Sequence, residues 1–425
     1  MLGGGLIMGA EDRLLPPSVP FRFFATAILM HVAGWAMLLV GADTLPGFQG
    51  GLGPGLAALH LMTLGVLSTT VLGAAFQLLP VATRRQLGPV WACRLTWWLY
   101  TPGVVLLCLG MAMQTSWAMH AGGCLVVAGL AVFAVLVARN LLQVSDLPAV
   151  TGHVWVALAA LLGLAVLGLL LVADVDAGFL SRRGPFAAAH AVLAGYGFMG
   201  SLAMGFSYVL VPMFVLSQGV PDAVGRQTAR LLALALVVAA GGAVAGSGVV
   251  AALGGVIGLI GIGVHLRAIL AAMETRMRKR LEPFFRLVRL AWVLLPVSVV
   301  AGLAVALGDA PELTAPLWGW LLVFGWLLTF VSGILQRIIP FLVSMHSGAH
   351  GGMPVLMSRL VAQPPLTVHA VLHGVALALG AAGLLSGSAL LVRAAAVSGL
   401  AGALAFAVFA TLVFIRARAH SSKSR

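Results

Sequence analysis

Charge is what this sequence has least of. Only 8% of its 425 residues are Asp, Glu, Lys or Arg, and the acids number 11. A soluble domain carries roughly 25% charged residues, so a water-exposed globular fold is excluded. Cysteine is scarce too, with three residues. Cys93, Cys108 and Cys124 have no metal-type spacing, which excludes a disulfide framework and makes each of them a buried small hydrophobe. No Asp, Glu or Lys falls inside a membrane-length apolar run. Ion-coupled carriers and proton relays keep ionisable groups at that depth, so their absence argues against such a carrier, though not against a facilitator.

Apolar sequence is what the chain has most of. Hydrophobic residues make up 61% of it, and glycine contributes 53 residues. Runs of about 20 apolar residues cross roughly 30 Å of hydrocarbon, and small residues let membrane helices approach closely. The runs 22–41, 56–80, 91–112, 118–138, 150–173, 187–211, 226–246, 248–268, 285–307, 316–342, 367–386 and 391–415 predict an all-α, polytopic protein with twelve transmembrane helices. The weakest division is between the seventh and eighth, where Gly246–Ser247–Gly248 is the only turn signal. The net charge of +13 is distributed on one side. All basic residues except Arg182, Arg183 and Arg393 fall in segments that a cytoplasmic N-terminus places inside, which is the positive-inside bias. Both termini are therefore expected in the cytoplasm, the run Arg276–Arg280 on anionic lipid, and the partner is the lipid bilayer, not nucleic acid.

Three helices share a Gly-x7-Gly-x6-Pro frame: Gly65, Gly73 and Pro80; Gly197, Gly205 and Pro212; Gly325, Gly333 and Pro340. Each occupies the second helix of a group of four. Asp43, Asp174 and Asp309 follow the first helix of each group, and Arg139, Arg267 and Arg416 close the fourth. Internal repeats over 1–145, 146–282 and 283–425 follow, forming one membrane domain with three four-helix arcs in pseudo-threefold arrangement.

Histidines supply most of the polarity at depth. His60, His190 and His120 lie near the outer helix ends, and His31 near mid-membrane. His153, His265, His369 and His373 lie towards the cytoplasm. A lone membrane histidine is more often a helix-packing group than a ligand; the number of them favours ligation. His369 and His373 are four apart and share a helix face, which suits a metal or a polar helix contact. His60 precedes its frame Gly65 by five residues and His190 precedes Gly197 by seven. That offset turns about 200° on a helix and points the two into different clefts. The loop SMHSGAHGGM, with Met345, His346, His350 and Met353, carries copper-type donors but reads first as a flexible Gly-rich loop. Tyr208, in FSYVLVP, suits a hydrogen-bond donor to a cofactor or, the commoner role, an interfacial aromatic.

The stretches HLMTLGVLSTTVLGAAFQLLP and HAVLAGYGFMGSLAMGFSYVLVP, in three four-helix arcs, resemble the second and sixth helices of the haem-copper oxidase superfamily, subunit I of cytochrome oxidases and the large subunit of nitric oxide reductases. The resemblance implies that His60 binds a low-spin haem and that His190 ligates the active-site metal beside a second haem. It also implies a bacterial cytoplasmic membrane and a respiratory redox partner. In that family the tenth helix carries His-x-His; this chain has Trp318 and Trp320 there, reading WGW. The copper-ligand histidine pair is missing from 226–246, and the proton-channel acids and lysines are missing as well. An oxygen- or NO-reducing centre is not assembled in the usual way. In size, helix number and the opening PFRFF the chain is also similar to the NnrS family, membrane haem proteins of the nitric-oxide response.

The resulting expectation is a haem- or metal-binding membrane protein on an oxidase-like scaffold, linked to respiration or the nitric-oxide response. The cofactors are b-type haem at His60 and His190 and copper as the second candidate. His369 and His373, then His31 and His153, are the candidate metal ligands. The sequence leaves open whether it is an enzyme. A facilitator for a small solute and a scaffold that has lost its cofactors are the competing readings.

Overall fold

The computed structural model describes residues 15–308, 311–348 and 354–423. Among these, twelve helices are long and apolar enough to cross a membrane: α1 Ser18–Val40, α2 Pro54–Thr83, α3 Val90–Met113, α4 Ser116–Leu141, α5 Pro148–Ala177, α6 Arg183–Val215, α7 Asp222–Val244, α8 Gly248–Glu274, α9 Phe285–Leu307, α10 Glu312–Ser347, α11 Gln363–Ser386 and α12 Ala389–His420. The protein is a multi-pass membrane protein. The doubtful division between α7 and α8 is a turn at Gly246, whose φ of +70° favours glycine. Ser247 caps α8 there by accepting from the N–H of Val250.

Three helices form the centre. The most apolar stretches of α2, α6 and α10 are 83, 83 and 78% buried, against at most 44% for any other span. The others surround them, and α12 packs on α1 to close the ring. Each central helix contains an eight-residue π-helical segment: Leu61–Ser68, Leu193–Gly200 and Leu321–Leu328. Each begins four residues before its frame glycine. A π turn frees carbonyls from the normal ladder, and side chains collect them. Leu64 O accepts from Thr69 Oγ1 at 2.9 Å and from Tyr100 OH at 3.0 Å. Phe324 O accepts from Thr329 Oγ1 at 3.0 Å, and His373 Nε2 meets that hydroxyl at 2.7 Å. In the middle segment Leu232 stands where Tyr100 and His373 stand, and Ser201 Oγ is buried without a partner among the described residues.

The frame glycines are contact points. Gly73, Gly205 and Gly333 face the Cβ atoms of Phe23, His153 and Leu287, and Gly65, Gly197 and Gly325 face the side chains of Met30, Ala160 and Leu294. Each pair lies seven residues apart on the facing helix. The ends of α3, α7 and α11 also match. Gln114, Gly246 and Gly387 are left-handed, at φ 55°, 70° and 68°. The next N–H closes a 2.8 Å bond to Gly110, Gly242 and Gly383 respectively, the Schellman arrangement.

Two expectations change. The helices outrun their apolar cores, so Asp174 lies inside α5. It is tolerated because the N–H of Leu180 and the Arg183 guanidinium donate to it at 2.7 and 2.9 Å. Cys93 and Cys108 are buried as expected, but Cys124 is exposed, because it sits on the outward side of α4. Asp174→Ala should cost about 1–2 kcal/mol by orphaning a partly buried N–H and a partly exposed cation. Asp43→Ala, which breaks only the exposed pair with Arg393, should cost under about 0.5 kcal/mol. Melting midpoints of the two purified variants check the contrast; equal midpoints would refute it.

Candidate haem and metal site

His60 sits on α2 directly before its π segment. Its Nδ1–H donates to Leu56 O at 3.0 Å, which leaves Nε2 as a lone pair without a hydrogen-bond partner among the described residues. His190 lies on α6 and packs its ring against α5. A Cβ built on Gly168 would lie 3.2 Å from its Cε1, so that glycine makes room for the imidazole. Its Nδ1 is buried without a hydrogen-bond partner among the described residues. His190 thus turns to α5 while His60 anchors on its own helix.

On α10 the two tryptophans point to opposite sides. Trp318 Nε1–H donates to Tyr196 OH at 3.2 Å. Tyr196 in turn donates to Ser298 at 3.0 Å and stacks on Trp326 at 5.6 Å. Trp320 Nε1–H donates to Leu377 O at 3.2 Å, and its ring stacks on Phe324 at 4.3 Å and meets Trp35 edge-on at 6.1 Å. The ring lies over Gly380, where a Cβ would collide with it. Both positions that the resemblance assigns to haem-ligating histidines are therefore closed by indoles with their own hydrogen bonds. A haem held in the family's manner from α10 does not fit these residues.

The fold brings His31, His369 and His373 together between α1, α10, α11 and α12. The His369 and His373 rings stack at 5.8 Å, and His31 meets His369 edge-on at 6.2 Å. Their nitrogens are unequally free. Trp35 Nε1–H donates to His31 Nε2 at 3.0 Å. Thr329 spends its proton on Phe324 O, so His373 Nε2–H donates to Thr329. His369 Nδ1–H donates to Gly402 O at 3.1 Å, and its Nε2 is buried without a partner among the described residues. Among the described residues no three His, Cys, Asp or Glu side chains are placed to hold one ion. A shared metal here would have two imidazole ligands at most.

His153 stands apart from that cluster. Its Nδ1–H donates to Ala149 O at 2.7 Å, and Nε2 is buried without a partner among the described residues. It packs on Tyr208. Tyr208 is not an interfacial aromatic: it is buried, with its hydroxyl bonded to Thr228 and His265. Hydropathy cannot separate these cases, because an aromatic near a helix end satisfies both. His120 makes an exposed pair with Asp176, which Ser116 also joins. His346 packs on Phe21, whereas His350 and Met353 lie outside the described residues.

Among solved structures the chain is similar to a haem-copper terminal oxidase studied as a dimer by cryo-EM, with a TM-score of 0.66 and 11% identity over 95% of this chain and 84% of that one. The fold is therefore of the haem-copper oxidase subunit I type. No protein-family model and no curated protein sequence matches the chain.

Proposed function

We propose that this protein binds b-type haem or copper within the membrane, on an oxidase fold that lacks the oxygen- or NO-reducing centre. It serves respiration or the nitric-oxide response in the bacterial cytoplasmic membrane, with both termini in the cytoplasm. One recurring geometry carries this reading. In His60, His153 and His369 the Nδ1–H is anchored on a backbone carbonyl, and the Nε2 lone pair has no hydrogen-bond partner among the described residues, fully buried in His153 and His369. This is how metal-ligating histidines are oriented by their surroundings. His60 and His190 are the haem-side ligands. His369 leads the metal set, with His31 or His373 as its second donor after a local rearrangement. A bound haem or copper would supply one-electron chemistry. The residues themselves present the imidazoles in a fixed tautomer and exclude water.

The division into repeats 1–145, 146–282 and 283–425 belongs to the same proposal. It is supported by the π segments, frame contacts and helix ends that recur in register.

A cofactor-free scaffold is the second reading, favoured by the indoles of Trp318 and Trp320. A facilitator has less support. The central segments touch one another through Ser68 and Met199, Gly195 and Leu322, and Gly200 and Trp326. The apolar cavity between α2, α6 and α10, lined by Gln77, Met213, Phe341 and Met345, is ≈ 50 Å³, room for roughly four waters.

The test is an optical spectrum and copper analysis of the full-length protein expressed with haem and copper supplied. A Soret band that is lost in His60→Ala, or copper lost in His369→Ala, supports the proposal. Purified protein with neither cofactor overturns it in favour of the scaffold.

A further inference from the structure

The passage from α8 into α9 is rich in cations, and the structure divides them into engaged and free. Arg276 Nη1–H donates to Met273 O at 3.0 Å. Arg278 and Arg337 each hold one oxygen of the Glu282 carboxylate, Arg337 at 2.9 Å. Arg286 and Arg289, one turn apart at the start of α9, differ. Their guanidinium groups have no hydrogen-bond or ion-pair partner among the described residues. Both border a cavity of ≈ 190 Å³ whose other walls are Leu281, Glu282, Pro283 and Phe285. That is the space of roughly fifteen waters. The one acid in its wall is already matched by two arginines, so the cavity presents positive charge.

The three-part register shows that packing does not require this arrangement. Phe23 and Leu287 face the equivalent glycines Gly73 and Gly333, so Arg286 corresponds to Arg22 and Arg289 to Ala25. Arg22 is covered. Its Nε–H donates to Ser18 O at 2.8 Å, and its guanidinium lies over the Trp97 ring, 5.5 Å from the centre. Trp97 precedes Gly110 by thirteen residues, and the residue at that distance before Gly383 is Ala370. The third part thus keeps the cation, replaces the indole by a methyl group, and adds a second arginine one turn further along the helix.

The same side of α9 continues as an apolar lane. Leu290, Val293, Val297 and Val300 are all exposed, and their spacing of three to four residues puts them in line with the two arginines. Free cations at the head of a lipid-facing apolar lane need a counter-charge. A guanidinium fork matches phosphate oxygens two at a time.

We propose that Arg286 and Arg289 bind the phosphodiester of one anionic phospholipid, whose acyl chain lies along Leu290, Val293, Val297 and Val300. A zwitterionic lipid offers the same phosphate, but its ammonium group would meet the same two arginines, which disfavours it. The site is discrete, unlike a diffuse attraction of the Arg276–Arg280 run to the membrane surface. It stands whether or not the protein binds haem or copper.

The test titrates the full-length protein, in neutral detergent, with dioleoyl phosphatidylglycerol and counts bound lipid by native mass spectrometry. One phosphatidylglycerol should be retained at concentrations where phosphatidylcholine is not. Arg286→Gln with Arg289→Gln should weaken that binding by about thirtyfold, a factor of about five for each basic residue. Lys279→Gln with Arg280→Gln removes as much charge from the adjacent loop and should retain the lipid. Equal weakening by the two pairs would show that net charge alone acts, and would overturn the site. Displacement of the lipid by millimolar inorganic phosphate would also overturn it, because a free anion would then suffice. If the Arg286 and Arg289 double variant misfolds, hydrogen exchange of the unaltered protein decides. Phosphatidylglycerol should slow exchange over 281–290 and inorganic phosphate should not; no slowing there, or equal slowing by both, refutes the proposal.

Discussion

Replacing Gly122 by leucine is expected to abolish the folded protein. The α3–α4 hairpin packs backbone to backbone. A Cβ at Gly122 would meet the nitrogen and Cα of Leu107 and the carbonyl of Gly103, and one at Gly103 would meet Val126 N. Only a small residue permits this approach, and in lipid close packing is the main attraction between helices. Overpacking a core that can adjust its rotamers costs about 1–3 kcal/mol. Here the obstacle is main chain, so the cost should exceed about 3 kcal/mol, a large part of the stability of most domains. Gly263→Leu is the matched control. It lies on the exposed side of α8, and nothing lies within 4 Å of a built Cβ, so its effect should stay within about 0.5 kcal/mol. Yield of monodisperse protein and its melting midpoint give the comparison. A Gly122→Leu protein that melts like the Gly263→Leu one would show that the hairpin can splay without penalty.

The second large effect is expected at Trp320. Its ring is 5% exposed and fills the space beside Gly380, Trp35 and Phe324. Trp320→Ala removes the ring, its stacking and the hydrogen bond to Leu377 O, and should cost about 3–5 kcal/mol. The damage should also be specific in shape. Free indole added to the variant should recover part of the lost melting temperature, because a cavity lined by apolar side chains binds a matching apolar guest. Recovery by indole but not by a smaller alcohol would show that the cleft stays open around the missing ring. No loss of stability would mean that the neighbouring helices close in, and that the indole is not what keeps this cleft filled.

The clearest sequence signals were those that repeat. Hydrophobic length located the twelve spans, and the Gly-x7-Gly frame marked where α1, α5 and α9 lean on their partners. The π segments had no such signal: eight residues of altered winding leave no periodicity of their own. Asp174 fell outside its expected span because hydropathy stops at the first acid, whereas the helix continues once Arg183 and Leu180 satisfy that acid. The offset of Trp318 and Trp320 was readable as a departure from a family pattern, but their partners Tyr196 and Leu377 lie on other helices. The same holds for the histidines. The i, i+4 spacing of His369 and His373 was visible, whereas their meeting with His31 needs α12 to close on α1.

That closure sets a timetable. His31 belongs to the first helix made and His369 to the eleventh. At ordinary rates of synthesis they are separated by an interval on the order of tens of seconds. During that time α1 stands in the bilayer without its later neighbours. Its imidazole is not left bare, because Trp35, one turn along the same helix, already donates to it. His60 and His153 are likewise bonded to carbonyls one turn back on their own helices. Each of these helices can thus be inserted with one nitrogen of its imidazole already bonded within the helix before any partner arrives.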